Sequence, residues 1–198
     1  MKKILLVVMV VILFVLLAAG LVFGGIYNTL VSREEGVNSA WAQVENVYQR
    51  RVDLVPNLVE TVKGYAAHEQ ETFQGVVDAR SRIGKLDTSA NILNSPDQLA
   101  KFQEAQTQLS SAIGRLLVVV EQYPDLKASQ NFLALQNQLE GTENRITVER
   151  RRFNEAARDY NAFRRQFPNN IAANVMGFKN KAYFQADQEA RTVPQVKF

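Results

Sequence analysis

Residues 4–26 of this chain, ILLVVMVVILFVLLAAGLVFGGI, carry no charge and no strongly polar side chain. At helical rise the run reaches about 35 Å, enough to cross a hydrocarbon core of about 30 Å with some tilt. A secretory leader has a shorter apolar stretch, of about 7–15 residues, so an uncleaved single-pass anchor over residues 1–27 is expected, although Ala18-Ala19-Gly20 imitates a cleavage site. Lys2 and Lys3 precede the run, while Arg33 is set against Glu34 and Glu35 after it. The positive-inside rule then places a short N-terminus in the cytoplasm and the bulk of the chain outside it. Gly20 and Gly24 stand four apart with Ala19 beside them. They form a small-xxx-small face on which two such helices approach closely in lipid, so a homo-oligomer is expected. The plainer reading is that glycine is common in membrane helices.

This concentration of apolar residues reconciles a hydrophobic content of 46% with a mean hydropathy of only -0.17. It also corrects the charge. The net +3 falls to +1 once Lys2 and Lys3 are set aside, 21 basic side chains against 20 acidic, and a nearly neutral remainder gives no reason to expect a nucleic-acid partner. The absence of cysteine excludes a disulfide frame, a thiolate nucleophile and a cysteine metal site.

Beyond the anchor the apolar spacing alternates between three and four, the period of packed or coiled-coil helices. One seam runs through Val37, Trp41, Val44, Tyr48, Arg51, Val55, Leu58, Val62 and Tyr65, a second from Leu99 through Phe102, Gln106, Leu109, Ile113, Leu116 and Val120 to Tyr123. A third runs from Phe132 through Leu135, Leu139, Thr142, Ile146, Glu149, Phe153, Ala156, Tyr160 and Phe163 to Phe167. The fold expected is all-α: the transmembrane helix followed, over residues 28–178, by an antiparallel bundle of three to four long helices, with an irregular tail over 179–198. Pro56 interrupts the first seam without shifting its phase, which predicts a kinked helix continuing to about Arg82. A polar connection over Lys85–Asn94 follows. Ser95 reads as an N-cap with Pro96 at the first helical position and Gln98 closing a capping box. Pro124 and Pro168 bound a third helix of up to about 65 Å, and a short helix capped near Gly177 is expected after it.

Candidate sites are few. His68-Glu69-Gln70-Glu71 opens like a zinc-protease motif, but Thr72 stands where the second histidine belongs and the chain has one histidine. No catalytic, cofactor or metal site is therefore expected. Arg50, Arg51 and Asp53 beside Pro56 form a candidate partner-binding patch, weighed against ordinary ion pairs on a helix surface. Glu149-Arg150-Arg151-Arg152 reads as a solvated flank or as interhelix salt bridges. Trp41, about 22 Å beyond Ile26 on a straight helix, is placed for packing against another helix rather than for anchoring at the interface. The terminal Val193-Pro194-Gln195-Val196-Lys197-Phe198 has the apolar-x-apolar ending, Val196 and Phe198, that PDZ-type domains capture by strand addition; a tail docked on its own bundle is the competing expectation.

Three groups of residues carry a resemblance: Ala40-Trp41-Ala42-Gln43-Val44-Glu45, then Arg50–Val59 (RRVDLVPNLV), then Val62-Lys63-Gly64-Tyr65-Ala66-Ala67-His68-Glu69. With Phe153-Asn154, Tyr160-Asn161, Phe167-Pro168, Gly177-Phe178 and Tyr183-Phe184 downstream, the chain resembles the bacterial LemA family over nearly its whole length. The resemblance implies a single-pass protein of the bacterial inner membrane with a helical bundle. The family so implied includes a magnetosome-associated member, is often encoded near membrane proteases and has no established activity. The function expected is a self-associating membrane scaffold or adaptor, not an enzyme, with the bilayer and an envelope protein as partners. The alternative is an extracytoplasmic sensor or adaptor that hands a signal or substrate to a membrane partner such as a protease.

Overall fold

The computed structural model describes residues 2–86 and 90–185, and Val196 and Phe198 lie outside them. Among the described residues the chain is helical, without a strand. Helix α1 (Lys2–Lys63) is one unbroken element of 62 residues, about 93 Å long. It leaves the apolar run and continues straight into the bundle, and all its expected seam positions from Val37 to Val62 are buried. It runs through Pro56 without ending there. The carbonyl of Val52, which proline deprives of its helical donor, accepts instead from Arg80 Nε at 3.2 Å.

The expected continuation to Arg82 is wrong. The helix stops at Lys63, a turn over Gly64–Glu69 leaves Tyr65 half exposed, and a separate helix α2 (Gln70–Ile83) folds back. Periodicity kept its phase up to Val62 because that stretch is one helix. It carries no information on the turn beyond it, where Ala66 caps the core in a non-helical stretch. A 3-10 turn (Ala90–Asn94) leads into α3 (Pro96–Val120), whose Ser95 hydroxyl accepts from the Gln98 amide at 3.4 Å. The reciprocal half of the capping box is replaced: the Ser95 amide donates to the Ile92 carbonyl at 3.2 Å. After a short turn of helix α4 (Pro124–Lys127), α5 (Gln130–Arg165) runs for 36 residues, about 54 Å and shorter than its bounding prolines allow. Phe167 consequently leaves the seam and is exposed.

Contacts give the topology. Arg33 meets Asp159, Trp41 meets Phe153 and Arg51 meets Glu143, so α1 and α5 are antiparallel. Trp41 and Tyr48 meet Phe102 and Arg51 meets Ser110, so α3 runs with α1. Helix α2 opposes both, with Arg80 against Val52 and Arg82 against Gln108. The distal half is thus a four-helix up-down bundle. In the proximal half, nearer the apolar run, the fourth place is taken by Ile92 and Leu93 of the 3-10 turn and by Ala182 and Phe184 near the end of the described chain.

Helix α6 (Asn169–Val175) ends in paired backbone bonds, Phe178 N–H to the Ala173 carbonyl and Gly177 N–H to that of Asn174, with Gly177 at φ 79. That is the Schellman geometry, and the left-handed residue is the glycine expected to cap the helix.

Candidate functional site

The core is divided. One apolar cluster ends at Tyr48 on α1, Phe102 on α3 and Ile146 on α5, and the next begins at Val52, Leu109 and Leu139. Between them lie Arg51, Gln106 and Thr142, one polar side chain from each of the three seams, and all three are buried. The Arg51 guanidinium donates to Ser110 Oγ at 2.7 Å, to Glu143 Oε2 at 3.0 Å and to the carbonyl and side-chain oxygens of Gln106. It also lies over the Tyr48 ring. Arg51 Nε and Gln106 Nε2 are buried donors without a partner. Such a layer costs desolvation and fixes the register of the helices that share it.

The predicted patch is therefore not one surface. Arg51 points into the bundle, whereas Arg50, Asp53 and Pro56 are exposed, and Asp53 accepts from Gln49 at 2.7 Å. The sequence carried the signal for Arg51: it occupies a seam position, as Gln106 and Thr142 do on their own helices. Trp41 is a core residue, 3% exposed, ringed by Phe102, Phe153 and Phe184 at 5.5–6.0 Å. Gly20 and Gly24 lie on the bare part of α1, with open space where a Cβ would project. His68 is exposed in the turn after α1. Among the described residues no group of three or more histidine or acidic side chains is placed to hold a metal. In the arginine run Arg152 pairs with Glu149 and Arg151 with Glu155 along the helix, while Arg150 crosses to Phe184 and the Gln185 carbonyl.

What sequence reasoning missed is how residues 181–185 are held. Asn161 on α5 donates to the Lys181 carbonyl at 2.8 Å and accepts from its amide at 2.9 Å. Asn154 does the same for Phe184 at 3.0 and 2.9 Å, and Gln103 on α3 for Gln185 at 2.8 and 3.3 Å. Two asparagines seven apart on a helix are about 10.5 Å apart, which matches three residues of extended chain. The carboxamides read main-chain atoms as a neighbouring strand would, and the side chains complete the seat. Phe184 enters the Trp41–Phe153 aromatic group. Lys181, 5% exposed, reaches Glu34 at 2.6 Å and Asn94 at 2.9 Å. Tyr160 bonds the Lys179 carbonyl. Burial first, and the Glu34 carboxylate second, push its phenol up to about 12 against the opposing pull of Arg164.

Asn154, Tyr160, Asn161, Gly177 and Phe184 are among the residues that carried the sequence resemblance, and the family model for the LemA family matches residues 40–198. The chain belongs to the LemA family. Relatives include magnetosome protein MamQ 2 of Paramagnetospirillum magneticum, 30% identical over 175 residues, or 80% of this chain and 64% of the relative. Magnetosome protein MamQ of Magnetospirillum gryphiswaldense is 28% identical over 174 residues. Protein LemA of Metamycoplasma hominis is 28% identical over 183 residues, covering 91% of this chain and 80% of its own length. The chain spans 64% of the length of these MamQ relatives. The LemA family match covers both the bundle and the segment clamped onto it. It begins at Ala40, inside α1, which among the described residues is the one helix long and apolar enough to cross a membrane, and past that helix's apolar run.

Proposed function

We propose that this LemA-family chain is a membrane-anchored scaffold or adaptor of the bacterial inner membrane, with its N-terminus cytoplasmic and its bundle outside, acting by assembly rather than catalysis. The continuity of α1 carries this reading. A single helix is both the apolar segment and a core member of the bundle, so association or rotation of the anchor passes to the bundle with no flexible joint between them. Apart from Tyr65 and Phe167 the three seams are buried or half-buried inside the chain, which leaves the Gly20/Gly24 face, open on α1, as the surface for self-association. Replacing both glycines by leucine weakens cross-linking between copies in membranes and leaves insertion intact. Cross-linking at the native level in that variant overturns the scaffold. A reporter active only outside the cytoplasm, fused after Phe198, is active in the proposed orientation, and a stable but inactive fusion reverses it.

The carboxamide clamps favour a second reading, an adaptor for an envelope protein such as a protease. A groove that holds residues 181–185 through main-chain atoms has the chemistry to hold a partner's extended segment in the same way. The mass of the detergent-solubilised protein separates the two: a discrete large homo-oligomer supports the scaffold, and one copy bound to a different protein supports the adaptor.

A further inference from the structure

The apolar run is not bare along its whole length. Ile4–Val22 is exposed apart from Ala19, but Phe23 is half-buried and Ile26 is 8% exposed. Ile26 and Leu30 share a cluster with Ala172 and Ala173 of α6, Phe23 and Phe178 pack against that cluster, and Phe178 meets the Tyr27 ring at 5.9 Å. Protein, not lipid, therefore covers one face of the last turn of the run, that of Phe23 and Ile26, while Gly24 and Gly25 stay open. The uncovered part, 19 residues, spans about 28 Å, close to the thickness of a hydrocarbon core. With Val22 at the edge of that core, Ile26–Leu30 stands about 6–12 Å beyond it, within the headgroup layer, and α6 packs beside it.

The other side of α6 is apolar and uncovered. Ile171 and Val175, four apart on α6, are exposed where Ala172 and Ala173 are buried, Phe167 is exposed in the turn just before the helix, and Met176 follows at its end. Phe167 at 81% and Val175 at 80% are, among the described residues, the most exposed large hydrophobic ones outside the anchor. Tyr65, Val77, Val118, Leu133 and Val148 are less exposed and belong to other parts of the chain, Tyr65 to the turn after α1 and the others to α2, α3 and α5. The stripe is also flanked by Arg165 and Lys179, exposed cations without an ion pair among the described residues. Tyr27, half exposed at the same level, is an interfacial aromatic.

We infer that α6 with its flanking residues is a second membrane contact: the Phe167/Ile171/Val175 stripe lies in the headgroup–acyl boundary of the leaflet from which α1 emerges, with Arg165 and Lys179 at lipid phosphates. This rests on α1 being the membrane anchor. The two contacts hold the bundle at a fixed tilt, where one helix alone would let it swing. Interfacial helices of this kind bind through an apolar face and basic flanks.

The cysteine-free chain allows the test. Single cysteines are placed at Phe167, Val175, Leu13 and the membrane-distal Val118, labelled with an environment-sensitive fluorophore, and the full chain is reconstituted in phosphatidylethanolamine/phosphatidylglycerol vesicles. Nitroxide lipids carrying the quencher near the headgroup should quench the labels at 167 and 175 at least two-fold more than the label at 118. A quencher at the chain ends should reach the label at 13. Equal quenching at 167, 175 and 118, with the label at 13 still quenched, overturns the contact and spares the anchor. Loss of quenching at 13 overturns both. Labels at 167 and 175 shielded from aqueous iodide but untouched by nitroxide lipid show a protein surface over the stripe, which also overturns the lipid contact.

Discussion

Replacing Arg51 with methionine probes whether the polar layer works as a unit. The guanidinium supplies donors to Ser110, to Glu143 and to Gln106, and its removal strands the Gln106 side chain among apolar neighbours. A buried group deprived of its partner costs about 1–3 kcal/mol. Glu143, whose side chain is 56% exposed, returns to water at little cost, and the Ser110 hydroxyl is free to rotate. About 3 kcal/mol of destabilisation is expected, which lowers the midpoint of thermal unfolding by about 6–12 °C for a domain of this size. Gln106→Leu alone should cost about 1 kcal/mol, since Arg51 keeps its other acceptors. The double variant Arg51→Met/Gln106→Leu removes the stranded amide together with both unpartnered donors. It should return to within about 1 kcal/mol of the native chain, because a buried polar group replaced together with its partners costs little. Trp41, the one tryptophan, reports on the adjoining cluster, so urea unfolding in micelles followed by its fluorescence measures all four species. A double variant destabilised by the sum of the singles, about 4 kcal/mol, refutes the layer as a compensating unit.

Pro56→Ala should stabilise the chain by up to about 3 kcal/mol by returning a donor to the Val52 carbonyl. Arg80→Met should then cost about 1 kcal/mol in the native background and almost nothing in the Pro56→Ala background; equal costs in the two backgrounds contradict the capping of that carbonyl by Arg80. Tyr160 stays neutral in the fold up to about 12, so its contribution is whole below the unfolded value of about 10 and is lost as pH rises through 12. Absorbance at 295 nm should show one late-ionising tyrosine that Tyr160→Phe removes, and identical titrations of the two chains would exclude it. Asn161→Leu removes both bonds to Lys181 and one to Tyr183 and should cost about 2–3 kcal/mol. Amide exchange at Lys181 and Phe184 should accelerate by an order of magnitude or more, and unchanged exchange there means the clamp does not hold the segment.

Local sequence is enough to specify the helices that repeat a pattern. An apolar run long enough for a bilayer, three seams at a period of three and four, a serine cap before Pro96 and a glycine after α6 are local instructions, and each is visible in the order of residues. Arg51, Gln106 and Thr142 were legible as polar seam positions one helix at a time. That they fall between the same two apolar clusters depends on how far each helix slides past the others, which only packing fixes. The end of α1 at Lys63 was hidden because a seam records which face is buried and not where the chain turns. The clamps on residues 181–185 were hidden for a stronger reason. A carboxamide that bonds the main chain of a distant residue leaves no periodicity and no motif, and its partner is chosen by the return of the chain in space. The tertiary structure alone also decided that Ile26, apolar like the rest of the run, is covered by α6 rather than by lipid, because hydrophobicity specifies removal from water and not what does the covering.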